Sequence, residues 1–143
     1  RGLGDVYKRQ YLMTPYGNFD FWENIMKISE LVKIVDATVY APSNKDVDGE
    51  IMGAFASDMM SDVLAFAKNQ DVLISGLCNP QTVRTAVMLD MKCILLVRGK
   101  IPTPDMITLA RTNDIVLLST MYKMYTTCGI LYEKGLGSGE YHE

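Results

Sequence analysis

The chain has 143 residues, of which 48% are hydrophobic and 22% are charged, a profile typical of a single soluble globular domain. The net charge of -3 gives no electrostatic reason to expect nucleic acid or an anionic membrane as a partner. Its longest apolar runs, such as CILLV at 93–97, are far below the roughly 18 residues of a transmembrane helix. The 3 widely spaced cysteines fit a reducing compartment, so we expect a cytoplasmic protein.

Residues 1–25 show neither helical nor strand periodicity, and we expect a non-native leader or a disordered extension there. Trp22-Glu23 is necessarily encoded by TGGGA followed by A or G, a purine-rich pattern that resembles a ribosome-binding site ahead of Met26. Translation would then begin at Met26. The alternative is a native extension whose aromatic cluster docks on the domain or on a partner: Phe19, Phe21 and Trp22.

From Met26 onward, helical and strand patterns alternate. In chain order we predict a helix at 28–35, strands at 38–41 and 51–56, a helix at 60–67, a strand at 71–75, a helix from Pro80, a strand at 93–97, a helix from Pro104, a strand at 115–118 and a last helix ending near Gly135. The residues expected to cap these helices are Ser29, Ser57, Asn79 and Thr103.

The alternation predicts an α/β fold: a single three-layer domain, residues 26–134, whose mostly parallel sheet is covered by helices on both faces. Residues 135–143, GLGSGEYHE, are expected to form a flexible tail. In sheets of this kind ligands bind beyond the carboxyl ends of the strands. The loops there are Gly76–Pro80, Arg98–Pro104 and Ser119-Thr120.

The same loops carry a resemblance to a known family. ISGLCNPQTVRTA at 74–86, CILLVRGK at 93–100 and IVLLSTMYKMY at 115–125 resemble the DRTGG domain, a bacterial and archaeal module similar to the N-terminal domain of HPr kinase/phosphorylase. The resemblance covers about residues 26–134 and rests on the layout of elements. The chain departs from the family's letters, with Leu77-Cys78-Asn79 in place of Asp-Arg and Arg98-Gly99-Lys100 in place of Thr-Gly-Gly.

The resemblance implies a regulatory or ligand-sensing module rather than an enzyme. Domains of this family are often fused to phosphotransacetylase or to pyrophosphatase, tend to self-associate, and have no catalytic activity established for the domain itself. It therefore implies a homo-oligomer, most simply a dimer, with a nucleotide or other small anion as ligand.

Eight residues of the three loops are candidates for binding such a ligand: Gly76, Cys78, Asn79, Arg98, Gly99, Lys100, Ser119 and Thr120. With Asn79 as N-cap and Pro80 following it, free N–H groups and the helix dipole would attract an anion to the first loop. The second loop adds two cations around a glycine, and the third adds hydroxyls. The alternatives are a solvated turn for the cations and helix capping for the hydroxyls.

Catalytic, metal and cofactor sites are not expected. The single histidine, His142, lies in the predicted tail, which disfavours a nucleophile and base pair. The cysteines lack the C-x-x-C spacing of a zinc site, and no G-x-x-x-x-G-K-[ST] phosphate loop is present in the sequence. Asp46, Asp48 and Glu50 lack the pattern of an EF-hand.

Two functions remain open after these exclusions. The first is a non-catalytic module that binds a small anion at the βα loops and acts through self-association or a partner protein. The second is a protein–protein interaction or scaffold domain with no small ligand, and a redox enzyme using Cys78 is a distant third. Tyr122 and Tyr125 would stack on a base in the first case or pack at a dimer surface in either case.

Overall fold

The computed structural model describes residues 11–14, 17–20, 25–42 and 47–140. The strands and helices in this part of the chain are, in order, β1 (Tyr11–Thr14), β2 (Gly17–Asp20), β3 (Met26–Lys27), α1 (Ile28–Ile34), β4 (Thr38–Ala41), β5 (Glu50–Ile51), β6 (Ala54–Ala56), α2 (Met60–Phe66), β7 (Val72–Ser75), α3 (Pro80–Met88), β8 (Cys93–Leu96), α4 (Pro104–Thr112), β9 (Val116–Ser119) and α5 (Met124–Glu133). None of these helices is long and apolar enough to cross a membrane.

A five-stranded sheet with the order β4-β9-β8-β7-β6 forms the centre of the fold. The strands β6 to β9 are parallel, and β4 joins the edge of the sheet antiparallel to β9. Every residue of β7 and β8 is buried, as continuous apolar strands require when helices cover both faces. The predicted fold class, an α/β domain with a mostly parallel sheet, is confirmed.

Alternating side chains of the strands point into two separate cores. One core joins Ile74, Leu95 and Leu118 of the sheet to buried residues of α1 and α5. The other joins the opposite face of the sheet to α2, α3 and α4 through residues such as Val63, Val83 and Met106. The sheet is therefore the middle layer of three, with two helices on one face and three on the other.

The starts of α3 and α4 follow the prediction, whereas those of α1 and α2 differ from it. Asn79 and Thr103 accept hydrogen bonds from the N–H groups two and three residues further on, and proline takes the first helical position in both helices. Ser29 is not a cap, because α1 already begins at Ile28, whose side chain is buried. Ser57 accepts the N–H of Met59, which is itself the N-cap of α2.

Four helices end on a residue in the left-handed conformation. These residues are Asp36, Asp90, Asp114 and Gly135, with φ of 50°, 54°, 55° and 109°. The next residue in each case donates its N–H to the carbonyl five positions back, which is the hydrogen bond of a Schellman motif. Gly135 therefore terminates α5 as predicted.

The predicted strand at 51–56 is divided into two elements. Its first part, β5, pairs with β3, and its second part, β6, joins the central sheet. Gly53 lies between them and forms a parallel bridge with Gly137. The division arises because this stretch serves two sheets and pairs with the C-terminal segment between them.

Residues 136–139 pack on the domain, which differs from the flexible tail predicted from residue 135. Leu136 is only 2% exposed, and the carbonyl of Gly137 accepts the N–H of Ala54 at 3.1 Å. The Gln70 side-chain amide donates to the carbonyl of Ser138 at 2.9 Å. Glycine composition suggested mobility, but small residues are also what a close approach of two backbones requires. Residues 141–143, including His142, lie outside the described residues.

At the other end of the chain, β1 and β2 pair as an antiparallel hairpin, where the sequence predicts no regular element. Backbone pairing of this kind does not need an alternating apolar pattern. Whether residues 1–25 belong to the native protein stays a prediction, and Phe21 and Trp22 of the proposed aromatic cluster lie outside the described residues.

Gly53→Ala is expected to release the segment at 136–139. An added Cβ would lie 2.7 Å from the Cα of Gly139 and 2.9 Å from its nitrogen, so backbone would have to move. We expect a loss of about 1–3 kcal/mol in the free energy of unfolding, measured by denaturant titration, together with faster proteolysis after residue 135.

Gly129→Ala is the matched control, because no atom lies within 4 Å of its Cβ position and it sits inside α5. This control should gain about 0.5–1 kcal/mol from helix propensity. Equal stability of Gly53→Ala and the wild type would show that the segment is not held by this contact.

A candidate anion site at the carboxyl edge of the sheet

Four loops meet at one edge of the sheet because β6, β7, β8 and β9 are parallel. They are the segments 57–59, 76–79, 97–103 and 120–123, each of which connects a strand to the next helix. All eight candidate residues lie on the last three loops or at the adjoining end of β9. The first loop was not among the predicted binding loops.

The amino end of α3 offers fewer free donors than the sequence suggests. Asn79 accepts the N–H of Gln81 with its side chain at 2.8 Å and the N–H of Thr82 with its backbone carbonyl at 3.1 Å. Pro80 has no N–H to offer. The N–H groups of Gln81 and Thr82 are thus already bonded to Asn79 and are not free for an anion.

A carboxylate of the chain itself, that of Asp58, contacts the end of β7. Its Oδ1 accepts the N–H of Gly76 at 2.5 Å and lies 3.3 Å from the hydroxyl of Ser75. The hydroxyl oxygen of Ser75 in turn accepts the N–H of Leu77 at 3.1 Å. A carboxylate from the loop after β6 therefore occupies the position at the end of β7 where a bound anion was expected.

Arg98 has an unusual backbone conformation. Its φ is 62° and that of Gly99 is 67°, and the N–H of Lys100 reaches back to the carbonyl of Val97 at 3.4 Å. Two successive positive φ values in a four-residue turn are the signature of type I′. Among the described residues other than glycine, those with positive φ are Asp36, Asn69, Asp90, Arg98 and Asp114.

Arg98 is therefore the exception in a set that otherwise consists of Asp and Asn, the residues that tolerate this region best. Its guanidinium lies against Gly76: the Nη2 atom is 3.5 Å from the Gly76 carbonyl oxygen and 2.5 Å from where a Cβ on Gly76 would be. The same Cβ would lie 3.2 Å from the Asp58 carboxylate. Because Gly76 has no side chain, the Arg98 guanidinium and the Asp58 carboxylate can both approach the end of β7.

The turn at Arg98 is braced by the neighbouring loop. The N–H of Arg98 donates to the carbonyl of Tyr122, and the N–H of Gly99 donates to that of Thr120, both at 2.8 Å. These backbone donors consequently face the loop after β9 and are not free for a ligand. The ligand-accessible donors of this turn are the side chains of Arg98 and Lys100, and Lys100 has no side-chain partner among the described residues.

The hydroxyls of Ser119 and Thr120 point into the protein rather than toward a ligand or the start of α5. Ser119 donates to the carbonyl of Lys100 at 2.6 Å, and Thr120 donates to the carbonyl of Val35 at 2.7 Å. Both side chains are buried, and α5 has Lys123 as its N-cap. Ser119 thus links the end of β9 to the loop after β8, and Thr120 links the loop after β9 to the end of α1. Neither ligand binding nor helix capping, the two interpretations from the sequence, included this role.

Cys78 is half-buried, and its thiol contacts the carbonyl of Ile101 at 3.3 Å and the sulfur of Met106 at 3.8 Å. The thiol therefore lies between the loop after β8 and α4. Burial raises the pKa of the Cys93 thiol far above its usual range and also raises that of Cys128, so both stay protonated. The described residues include no group of three or more His, Cys, Asp and Glu side chains arranged to hold a metal ion.

Exposed apolar side chains lie on the loop after β8 and on the segment after β9 that contacts the turn at Arg98. Met121 is 80% exposed and lies over Gly99, with its sulfur 2.8 Å from the Cβ position there. Tyr125, in the first turn of α5, is 92% exposed. We call this group the apolar rim; its members are Ile101, Met121, Tyr122 and Tyr125.

Comparison with known proteins places the fold but not a family. No family model matches the chain, and no curated protein matches it. The structure is similar to the CBS and DRTGG domains of the regulatory region of the Clostridium perfringens pyrophosphatase, solved with its activator, diadenosine tetraphosphate. The TM-score is 0.63 at 14% sequence identity.

The similarity covers 92% of this chain and 55% of the pyrophosphatase chain, so this chain spans about half of the matched length. At so low an identity the likeness concerns the fold alone. It supports the DRTGG-like fold that the sequence resemblance implied.

Thr120→Val tests whether the buried hydroxyl of Thr120 stabilises the fold. Valine keeps the shape of threonine but leaves the Val35 carbonyl without its donor, and the Tyr122 N–H also loses its acceptor at 3.3 Å. We expect a loss of about 1–3 kcal/mol in the free energy of unfolding. Thr126→Val is the control on the exposed face of α5, and an equally small effect of both variants would contradict the assignment.

Proposed function

We propose that this protein is a non-catalytic regulatory module that binds a small phosphorylated ligand, such as a nucleotide, between the loops after β7 and β8. Binding would be transmitted through self-association or a partner protein. The observation that carries the proposal is Arg98, a cationic residue held at φ 62° with its guanidinium against Gly76. Strained backbone of this kind is concentrated at functional sites, because elsewhere a less costly residue replaces it.

The charges of the turn after β8 support a phosphate ligand. The Arg98 guanidinium is a planar donor that fits phosphate oxygens, and Lys100 on the same turn adds a second positive charge. The backbone of the turn is fixed by its bonds to Tyr122 and Thr120, so both side chains start from a rigid base. Such pre-organisation lowers the entropic cost of binding.

The apolar rim supports a nucleotide and self-association in different ways. Tyr122 and Tyr125 offer exposed rings on the segment after β9, and the Tyr122 carbonyl is bonded to the N–H of Arg98. We expect a base to stack on one of these rings while the cations hold its phosphate. The activator of the structurally similar pyrophosphatase is itself a dinucleoside polyphosphate. Exposed methionine and aromatic side chains are equally typical of surfaces between protein subunits.

The scaffold alternative has one observation in its favour. The Gly76 N–H, the donor best placed to meet an anion, is already bonded to Asp58. A loop that satisfies its own donors needs no ligand for stability. Direct binding measurements separate the two functions.

Binding is tested by isothermal titration of the full chain with diadenosine tetraphosphate, ATP and inorganic pyrophosphate. We expect at least one of them to bind, and Arg98→Gly to weaken that binding at least tenfold by removing the guanidinium. The same variant should be more stable than the wild type by about 1 kcal/mol, because glycine adopts positive φ without strain.

Two further variants sharpen this test. Gly76→Ala keeps every charge but places its methyl group where the guanidinium lies, so it should also weaken binding. Arg111→Ala removes an equal charge from the last turn of α4 and should bind like the wild type. No heat and no thermal shift with any of the three ligands would overturn the sensor function and favour the scaffold.

Self-association is tested by light scattering of the full chain. We expect a dimer in the wild type and a monomer in Tyr125→Glu, because a buried unpaired carboxylate opposes association. Phe66→Glu changes an exposed aromatic residue at the end of α2, away from the rim, and should leave the dimer intact. A monomeric wild type at high concentration would exclude this part of the proposal.

A further inference from the structure

We infer that Asp58 is an internal competitor for the ligand, so that the site accepts a phosphoryl group only in exchange for release of the Asp58 carboxylate. This inference rests on the proposed function and adds its regulation: ligand binding would move the loop between β6 and α2. The cluster concerned consists of Asp58, Ser75, Gly76 and Arg98.

The contacts of Asp58 are those that an anionic ligand would use. One oxygen faces both the Gly76 N–H and the Ser75 hydroxyl, at the carboxyl end of β7. The Arg98 guanidinium approaches the same glycine from the next loop. Backbone N–H, hydroxyl and guanidinium together form a donor set for an oxyanion, and the chain already supplies one.

The exchange is feasible because, among the described residues, the hydrogen bonds of the Asp58 side chain are those to Ser75 and Gly76. Met59, the next residue, stays bonded to the Ser57 hydroxyl and to α2. Asp58 and Met59 are both exposed, and Met59 is the N-cap of α2 without a side-chain capping bond. The hydrogen bond from the Ser57 N–H to the Ile74 carbonyl, at 3.0 Å, fixes the residue just before Asp58. The backbone of Ser57 can thus stay in place while the Asp58 carboxylate moves away from Gly76.

Competition also selects the class of ligand. A ligand with one carboxylate would replace the Asp58 carboxylate with a group of equal charge. Its binding would therefore gain no electrostatic free energy over the contact that Asp58 already makes. A phosphate monoester carries about -1.5 to -2 charges at neutral pH and has three terminal oxygens. It can engage Gly76, Arg98 and Lys100 at once, so phosphate displaces Asp58 where acetate does not.

The experiment is a titration of the isotope-labelled full chain with inorganic phosphate, followed by the amide resonances of Gly76 and Met59. In the wild type, phosphate should shift both resonances together, and acetate at equal ionic strength should shift neither. Asp58→Asn keeps an acceptor oxygen for the Gly76 N–H but lacks the charge. It should bind phosphate roughly five- to tenfold more tightly, since hydrogen bonds to ionised groups are the stronger ones.

Asp62→Asn is the matched control, because Asp62 is an exposed acid in the first turn of α2. It removes the same charge and should leave the phosphate affinity unchanged. An equal gain in both variants would mean that net charge acts without competition, which overturns the inference.

The remaining outcomes separate the inference from the proposed function. Phosphate binding that depends on Arg98 but is unchanged in Asp58→Asn would leave the function standing and overturn the competition. Weaker binding in Asp58→Asn would make Asp58 part of the ligand site and contradict its role as competitor. Absence of phosphate and nucleotide binding in both the wild type and Asp58→Asn would overturn both proposals.

Discussion

The whole architecture follows from one constraint: four parallel strands in sequential order must be connected by crossovers of one hand. Because β6 to β9 are added in a single direction across the sheet, right-handed connections place α2, α3 and α4 on the same face. The other face must then be covered by helices outside this run. It is covered by α1, α5 and the buried Leu136 that follows α5. The protection of the sheet therefore depends on elements from both ends of the domain.

The same constraint gathers the candidate site. Parallel strands present all their carboxyl ends at one edge, so residues far apart in sequence, such as Asp58, Gly76 and Arg98, become neighbours there. Several polar groups at this edge bond to other segments of the chain, as Ser119 and Thr120 show. The cationic side chains of the β8 turn remain accessible, whereas the anion position beside them is filled by Asp58. In the proposed function, Asp58 is the anion that occupies this position when no ligand is bound.

The sequence predicted the fold well where local chemistry decides the structure. The continuous apolar runs located β7, β8 and β9, and proline after Asn79 or Thr103 located the starts of two helices. Prediction failed where a partner distant in sequence decides. Ser29 has the residue type of a cap, but burial of Ile28 starts α1 earlier. The glycines after residue 135 suggest a mobile tail. The structure instead packs Gly139 against Gly53, because neither residue has a side chain to prevent the approach.

The positions of the candidate loops were predictable from the sequence, whereas their contacts were not. The loops after β7 and β8 were identified because strand ends could be located, and the proximity of Arg98 to Gly76 follows from their register. Asp58 was missed because the residues before α2 were interpreted only as a helix start. One available signal was that Ser57-Asp58 also follows a strand next to β7 and must reach the same edge. The hydroxyls of Ser119 and Thr120 could not be assigned, since their acceptors lie 19 and 85 residues away.

The bridge between Gly53 and Gly137 has a consequence for how the protein is made. β6 is an outer strand of the sheet, and an uncovered outer strand is a template for pairing with another chain. The residues that cover it near Gly53 are separated from it by more than half of the chain. During synthesis on the ribosome, β6 can pair with β7 long before residues 136–139 have emerged. Nascent chains therefore pass through a stage at which the edge of β6 is uncovered. Because neighbouring ribosomes on one mRNA hold such chains close together, we expect aggregation of this protein to begin there.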